Sequence, residues 1–151
     1  MTVPGSLDAS RGARGRVERV VAVISIEVVI VIHLVLTPMH LEEKLYIGVL
    51  FAVGNGLLLV AMALLFTRRG QWAGWLLGTV VCLGEFLGFV LSRTVGLPMG
   101  YHGTWAAETE DYLGLVSLAF ELAFVVAAWT HLRGARQRPS GAVTEPRPVN
   151  A

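Results

Sequence analysis

Cysteine is all but missing from this chain. Cys82 is the single one, so no intrachain disulfide and no C-x-x-C metal spacing exists. Inside an apolar run it reads as a small group at a helix contact. Charge is scarce as well: Asp, Glu, Lys and Arg make up 15% of the residues, for a net of +1. The arginines gather in short flanking segments, and no folded basic domain presents them, which excludes nucleic-acid recognition. No Ser–His–Asp arrangement, phosphate loop or H-E-x-x-H is present. A haem finds no axial pair, because His33 and His131 fall near opposite ends of their helices. With no room for a soluble catalytic module, the chain is not expected to be an enzyme.

What the chain has in abundance is apolar sequence. Of 151 residues, 54% are hydrophobic, and the mean hydropathy is +0.64. Four apolar runs dominate, at 20–37, 45–67, 72–91 and 112–129, with lengths of 18, 23, 20 and 18 residues. A helix needs about 20 apolar residues, within a range of roughly 17 to 25, to cross a bilayer. Backbone groups in hydrocarbon must be satisfied within the segment, so each run is a helix. The expected fold is all-α, a four-helix transmembrane bundle over 16–133, with helices at about 17–37, 41–67, 71–93 and 110–131. Disordered tails are expected at 1–15 and 134–151, where Gly, Ser, Pro and Arg prevail. The first run lacks a small-x-small cleavage site after it and reads as an uncleaved signal anchor.

Basic residues on short flanks mark the cytoplasmic side. Arg11, Arg14, Arg16 and Arg19, the pair Arg68 and Arg69, and the tail arginines all fall on one side; the other two loops are acidic. Both termini are therefore expected in the cytoplasm, with the protein multi-pass in the inner (cell) membrane. The lipid bilayer is its first partner, and a homo-oligomer or a larger membrane complex is the second.

Three carboxylates and an amide interrupt the apolar runs: Glu27, Asn55, Glu85 and Glu121, one per helix. Counted at 1.5 Å per residue from the expected helix ends, all four lie roughly 13 to 18 Å deep, near the midplane. Glu85 shares a helix side with Gly74, Gly78, Cys82, Gly88 and Ser92, and Glu121 with Gly114, Ser117 and Ala128. Small-xxx-small spacing lets helices approach closely, so Glu85 and Glu121 are expected to face each other. Asn55 is expected near the same layer. Glu27 stands among bulky Val, Ile and Leu, on a face about 120° from His33. The layer has two readings: interhelical hydrogen bonds that hold a structural subunit together, or a site for protons or cations in a small transporter.

A second group lies in the outer loops. Met39–His40 and Met99–Gly100–Tyr101–His102, with His33 below, combine thioether and imidazole, a donor set suited to copper. Copper at His33, Met39, His40, Met99 and His102 is the one metal this reading offers. Arg93, the single arginine on the outer side, is expected to neutralise Glu108 or Glu110.

The stretch Ser92–Arg93–Thr94–Val95–Gly96–Leu97–Pro98, then Gly114–Leu115–Val116–Ser117–Leu118–Ala119–Phe120–Glu121, resembles small four-helix bacterial inner-membrane proteins of uncharacterised function. The likeness covers about a third of the chain. It implies the four-helix architecture and no activity.

Overall fold

The computed structural model describes residues 4–103 and 109–136. Its elements are α1 (Pro4–Glu43), α2 (Leu45–Leu65), α3 (Gln71–Thr94), a single 3-10 turn (Pro98–Gly100) and α4 (Thr109–Arg136). All four helices are long and apolar enough to cross a membrane. Among the described residues the one departure from helix pairing is an isolated bridge between Leu97 and Tyr101. The tail from 137 onward lies outside the described residues.

Against the sequence reading, α2 begins at Leu45 instead of about 41, and α4 runs to Arg136, past about 131 and into the tail expected to be disordered; the two largest differences are in α1. The helix starts at Pro4, inside the stretch expected to be disordered; proline suits a first turn, where its missing N–H has no intrahelical role. The helix also runs through Pro38 instead of stopping there. Proline removes one backbone bond and crowds the preceding turn, but here Thr37 Oγ1 donates to the His33 carbonyl at 2.6 Å, a local bond in that turn. The break comes at Lys44, whose φ of −151° and ψ of 111° are extended. Its N–H still donates to the His40 carbonyl at 3.0 Å, and its carbonyl accepts from Ile47 N at 2.9 Å. One residue thus turns the chain from α1 into α2. The corner closes because position 48 is glycine: a Cβ there would lie 2.7 Å from the Leu41 backbone nitrogen.

The helices pack as α1–α2, α2–α3, α3–α4 and α1–α4, a ring in which sequence neighbours run antiparallel. The ring is not uniform along its length. Its lower end, around Trp75, is filled: Ala22, Ile26, Leu58, Ala61, Trp75 and Phe124 are all fully buried. The Trp75 ring lies 5.6 Å from Phe124 and stacks on His131 at 4.7 Å. His131 Nδ1 in turn meets Glu18 Oε2 at 3.1 Å, and Arg14 reaches the other Glu18 oxygen at 3.1 Å. Glycine makes this half close. A Cβ on Gly74 would stand 2.8 Å from the Ala61 carbonyl and 2.9 Å from Leu65 N, both in α2. A Cβ on Gly78 would enter the Phe124 ring. In lipid the gain from such contacts is dispersion between close backbones, not removal of apolar surface from water. The outward faces stay apolar, with Val31, Leu50, Val80 and Val126 more than half exposed.

The upper end, around Tyr101, is open. Gly84 and Gly88, which the spacing assigns to close helix contact, have nothing within 4 Å of an added Cβ. They line a cavity instead. The same spacing therefore performs two opposite tasks in α3, contact below and clearance above. After α3 the chain turns through Gly96, at φ 82°. Leu97 N donates to the Tyr101 carbonyl at 2.7 Å, and Gly103 N returns to the Ser92 carbonyl at 2.9 Å. The Ser92–Pro98 stretch is thus the turn that roofs one side of the opening, which Tyr46 pins by donating its hydroxyl to the Pro98 carbonyl.

Candidate cation-binding site

A cavity of about 550 Å³ descends from the Tyr101 end between all four helices. Each helix supplies a stripe at helical spacing: His33, Leu36, His40 and Glu43 from α1; Ile47, Phe51 and Gly54 from α2; Glu85, Gly88 and Ser92 from α3; Gly114, Ser117 and Glu121 from α4. Residues three or four apart share a face, so each stripe follows from its helix alone.

At the mouth, His40 Nδ1 lies 3.1 Å from Glu43 Oε2. Tyr101 donates its hydroxyl to the same oxygen at 3.4 Å. Burial first, and then the Glu43 charge, push the Tyr101 hydroxyl up to about 12, so it stays a donor throughout the physiological range. Across the opening Arg93 Nη2 donates to Asp111 Oδ1 at 2.8 Å, and its guanidinium covers the Phe89 ring at 3.7 Å. Below the mouth Phe51 sits between two imidazoles, with ring centroids 4.6 Å from His33 and 4.5 Å from His40.

At the base, His33 stands between two carboxylates. Its Nδ1 is 3.5 Å from Glu85 Oε1, and its Nε2 is 3.9 Å from Glu121 Oε1. Ser117 completes the group: its hydroxyl donates to Glu121 Oε1 at 2.8 Å and lies 3.2 Å from His33 Nε2. Ser117 thus links Glu121 to His33 Nε2, while Nδ1 faces Glu85. His33 Nδ1, both Glu85 oxygens and Glu121 Oε2 are buried with no hydrogen-bond partner among the described residues. His33 is 5% exposed and Glu121 2%. Gly54 makes room for the remaining carboxylate, since a Cβ there would fall 2.4 Å from Glu85 Oε1.

The structure brings together Glu85 and Glu121 and adds His33, which the sequence reading places just below the outer loops and above the carboxylate layer. The reason is the path of α1. Counted from Thr37, His33 looks shallow; counted from the actual helix end at Glu43 it lies about 15 Å down. With His33 facing inward, a residue 120° away must face out, and Glu27 does so, exposed amid Ile24, Val31 and Leu34. Asn55 is buried but does not line the cavity, and its side chain has no hydrogen-bond partner among the described residues. Of the Met and His group, Met39, His40 and His102 line the upper cavity with His33 far below, whereas Met99 points out at 78% exposure. Arg93 meets Asp111, the next acidic residue after those expected. Glu108 lies outside the described residues, and only the backbone is described for Glu110.

The Arg93–Asp111 pair joins the ends of α3 and α4 with both side chains 14% exposed. Removing one partner leaves a half-buried charge without its mate. Discounted for its position near the bundle end, the expected cost of Arg93→Gln is about 1–3 kcal/mol. Detergent melts of Arg93→Gln and of Arg93→Gln with Asp111→Asn check this: the double variant should recover part of the loss, and equal losses in both would dissolve the pair.

Compared with models of known protein families, with curated proteins and with solved structures, the chain matches none. The functional reading therefore rests on geometry.

Proposed function

We propose that the chain is a multi-pass membrane protein that takes up a cation, a proton or a metal ion, at His33, Glu85 and Glu121. Its termini lie in the cytoplasm, so the cavity mouth at His40, Glu43 and Tyr101 faces the opposite side. A single observation carries the reading. Two carboxylates flank a buried imidazole at the foot of a cavity, with oxygens and a nitrogen left without partners. A structural network of buried polar groups gains by satisfying every member, and partial satisfaction costs it stability. This group instead keeps free acceptors aimed at one another and at the cavity, as cation binding requires. Below the site the bundle is filled by Leu58, Ala61, Trp75 and Phe124, all fully buried, which favours entry from the Tyr101 end.

Sealed right-side-out vesicles test this. A membrane-impermeant, water-soluble carbodiimide with a small amine, added outside, should label Glu85 in mass spectra of the recovered protein. The same reagent added only inside should not. Glu27→Gln should leave Glu85 labelling unchanged, because Glu27 lies on the outer wall of α1. Labelling of Glu85 from the cytoplasmic side alone, or from neither side, would overturn the reading.

A further inference from the structure

The cation is a divalent transition metal of the zinc class: we infer that His33 Nδ1 and Glu85 ligate it, while Glu121 orients the imidazole through Ser117. The inference rests on the uptake reading above and names its ion.

The donor arrangement supports it first. One nitrogen of His33 and one oxygen each of Glu85 and Glu121 all lie within 4.8 Å of one another. In a tetrahedral zinc site, with bonds of about 2.1 Å, neighbouring ligand atoms stand roughly 3.4 Å apart. His33 Nδ1 and Glu85 Oε1 are 3.5 Å apart. No backbone movement is needed to seat an ion between them.

The tautomer points the same way. A metal-binding histidine almost always donates its other ring N–H to a carboxylate or a similar acceptor, which fixes the ring and raises the basicity of the ligating nitrogen. Here Nε2 is turned to the Ser117 hydroxyl, which in turn donates to Glu121 Oε1. The relay ends in a carboxylate and leaves Nδ1 as the ligand.

Charge is the third argument. Fully deprotonated, the two carboxylates and the imidazole would carry a charge of −2, and an uncompensated charge in a low-dielectric interior is costly. A divalent ion neutralises the set in one step. Imidazole with carboxylate favours zinc and its first-row neighbours, while Mg²⁺ and Ca²⁺ prefer oxygen alone and Cu(I) prefers sulfur. The His40–Glu43 pair at the mouth offers the same two donor types, so an entering ion meets a matching pair before it reaches the base.

The test uses the full-length protein in mild detergent, stripped with a chelator and titrated with Zn²⁺ by calorimetry, with Co²⁺ absorption as a second readout. One equivalent should bind, and millimolar Mg²⁺ or Ca²⁺ should not displace it. Glu85→Gln and His33→Gln should weaken binding more than 100-fold, and Ser117→Ala by about 10- to 100-fold, the range for an outer-shell partner. In the wild-type protein, which needs no variant to fold, Zn²⁺ should protect Glu85 from the carbodiimide. Zinc that neither binds nor protects while Glu85 still labels from outside would overturn the metal and leave uptake standing, with the proton as the cation. Loss of that sided labelling would remove the uptake reading itself. Binding that survives Glu85→Gln but disappears in His40→Ala would place the ion at the mouth and also overturn the assignment.

Discussion

Gly54→Val is expected to silence the site without unfolding the protein. The Cβ of any other residue at 54 would fall 2.4 Å from Glu85 Oε1 and 3.6 Å from its Cδ, and nothing else lies within 4 Å. The obstacle is the tip of a flexible side chain, so the carboxylate moves and the helices stay. A displaced Glu85 no longer faces His33 Nδ1, now 3.5 Å away. Cation affinity should fall at least 100-fold, about 2.8 kcal/mol at 1.4 kcal/mol per tenfold, and Gly54→Ala should fall part of the way. The melting temperature should shift little, because no backbone contact is lost and the Glu85 oxygens make no hydrogen bond among the described residues. The checking measurement is the same zinc titration together with a detergent melt. Undiminished affinity in Gly54→Val would show that Glu85 does not act from its present position.

Gly74→Val is expected to do the reverse, spoiling the fold and with it everything the fold supports. Here the added atom would meet backbone, the Ala61 carbonyl at 2.8 Å and Leu65 N at 2.9 Å. Backbone in the last turn of α2 has no rotamer to escape through, so α2 and α3 must part there. Overpacking typically costs 1–3 kcal/mol and occasionally more; with two rigid helices forced apart, about 3 kcal/mol or above is the expected loss. Gly84→Val supplies the control, since an atom added there meets nothing within 4 Å. Thermal unfolding in detergent and the fraction recovered as a monodisperse species should separate the two variants sharply. Equal behaviour of Gly74→Val and Gly84→Val would contradict the division of the bundle into a closed half and an open half.

That division marks where sequence reasoning stops. The four helices are legible because run length and apolarity suffice to define them. The meeting of Glu85 and Glu121 is expected from their small-residue faces, a pattern carried within each helix. The depth of His33 is another matter. It depends on whether Pro38 ends α1, and proline near the end of a membrane helix is compatible with either outcome. Once the helix continues to Glu43, His33 drops to the level of the carboxylates and Glu27 is turned outward by the same rotation. The two tasks of the α3 glycines cannot be separated by spacing, because Gly74–Gly78 and Gly84–Gly88 are identical as patterns. What separates them is the neighbour: α2 backbone at one, the cavity at the other. Gly54 is the subtlest case. Its importance comes from a side chain on another helix, and no periodicity within α2 records that.

The single-residue corner at Lys44 also has a mechanical consequence. A joint of one residue, wedged by Leu41 against Gly48, cannot lengthen, so α1 and α2 move as one jaw. The next connection, five residues between Leu65 and Gln71, is also short and ties α3 to that jaw at the Trp75 end. The link from Thr94 to Thr109 is the longest of the three, which makes α4 the arm whose upper end is held by side chains and not by a tight corner. Two fasteners hold that arm: the latch from Arg93 to Asp111 near the rim, and deeper down the contact of Ser117 with His33. An arm anchored at two heights cannot open gradually at one without loading the other. The contact at the rim and the contact at the base are therefore tied to each other through one rigid helix.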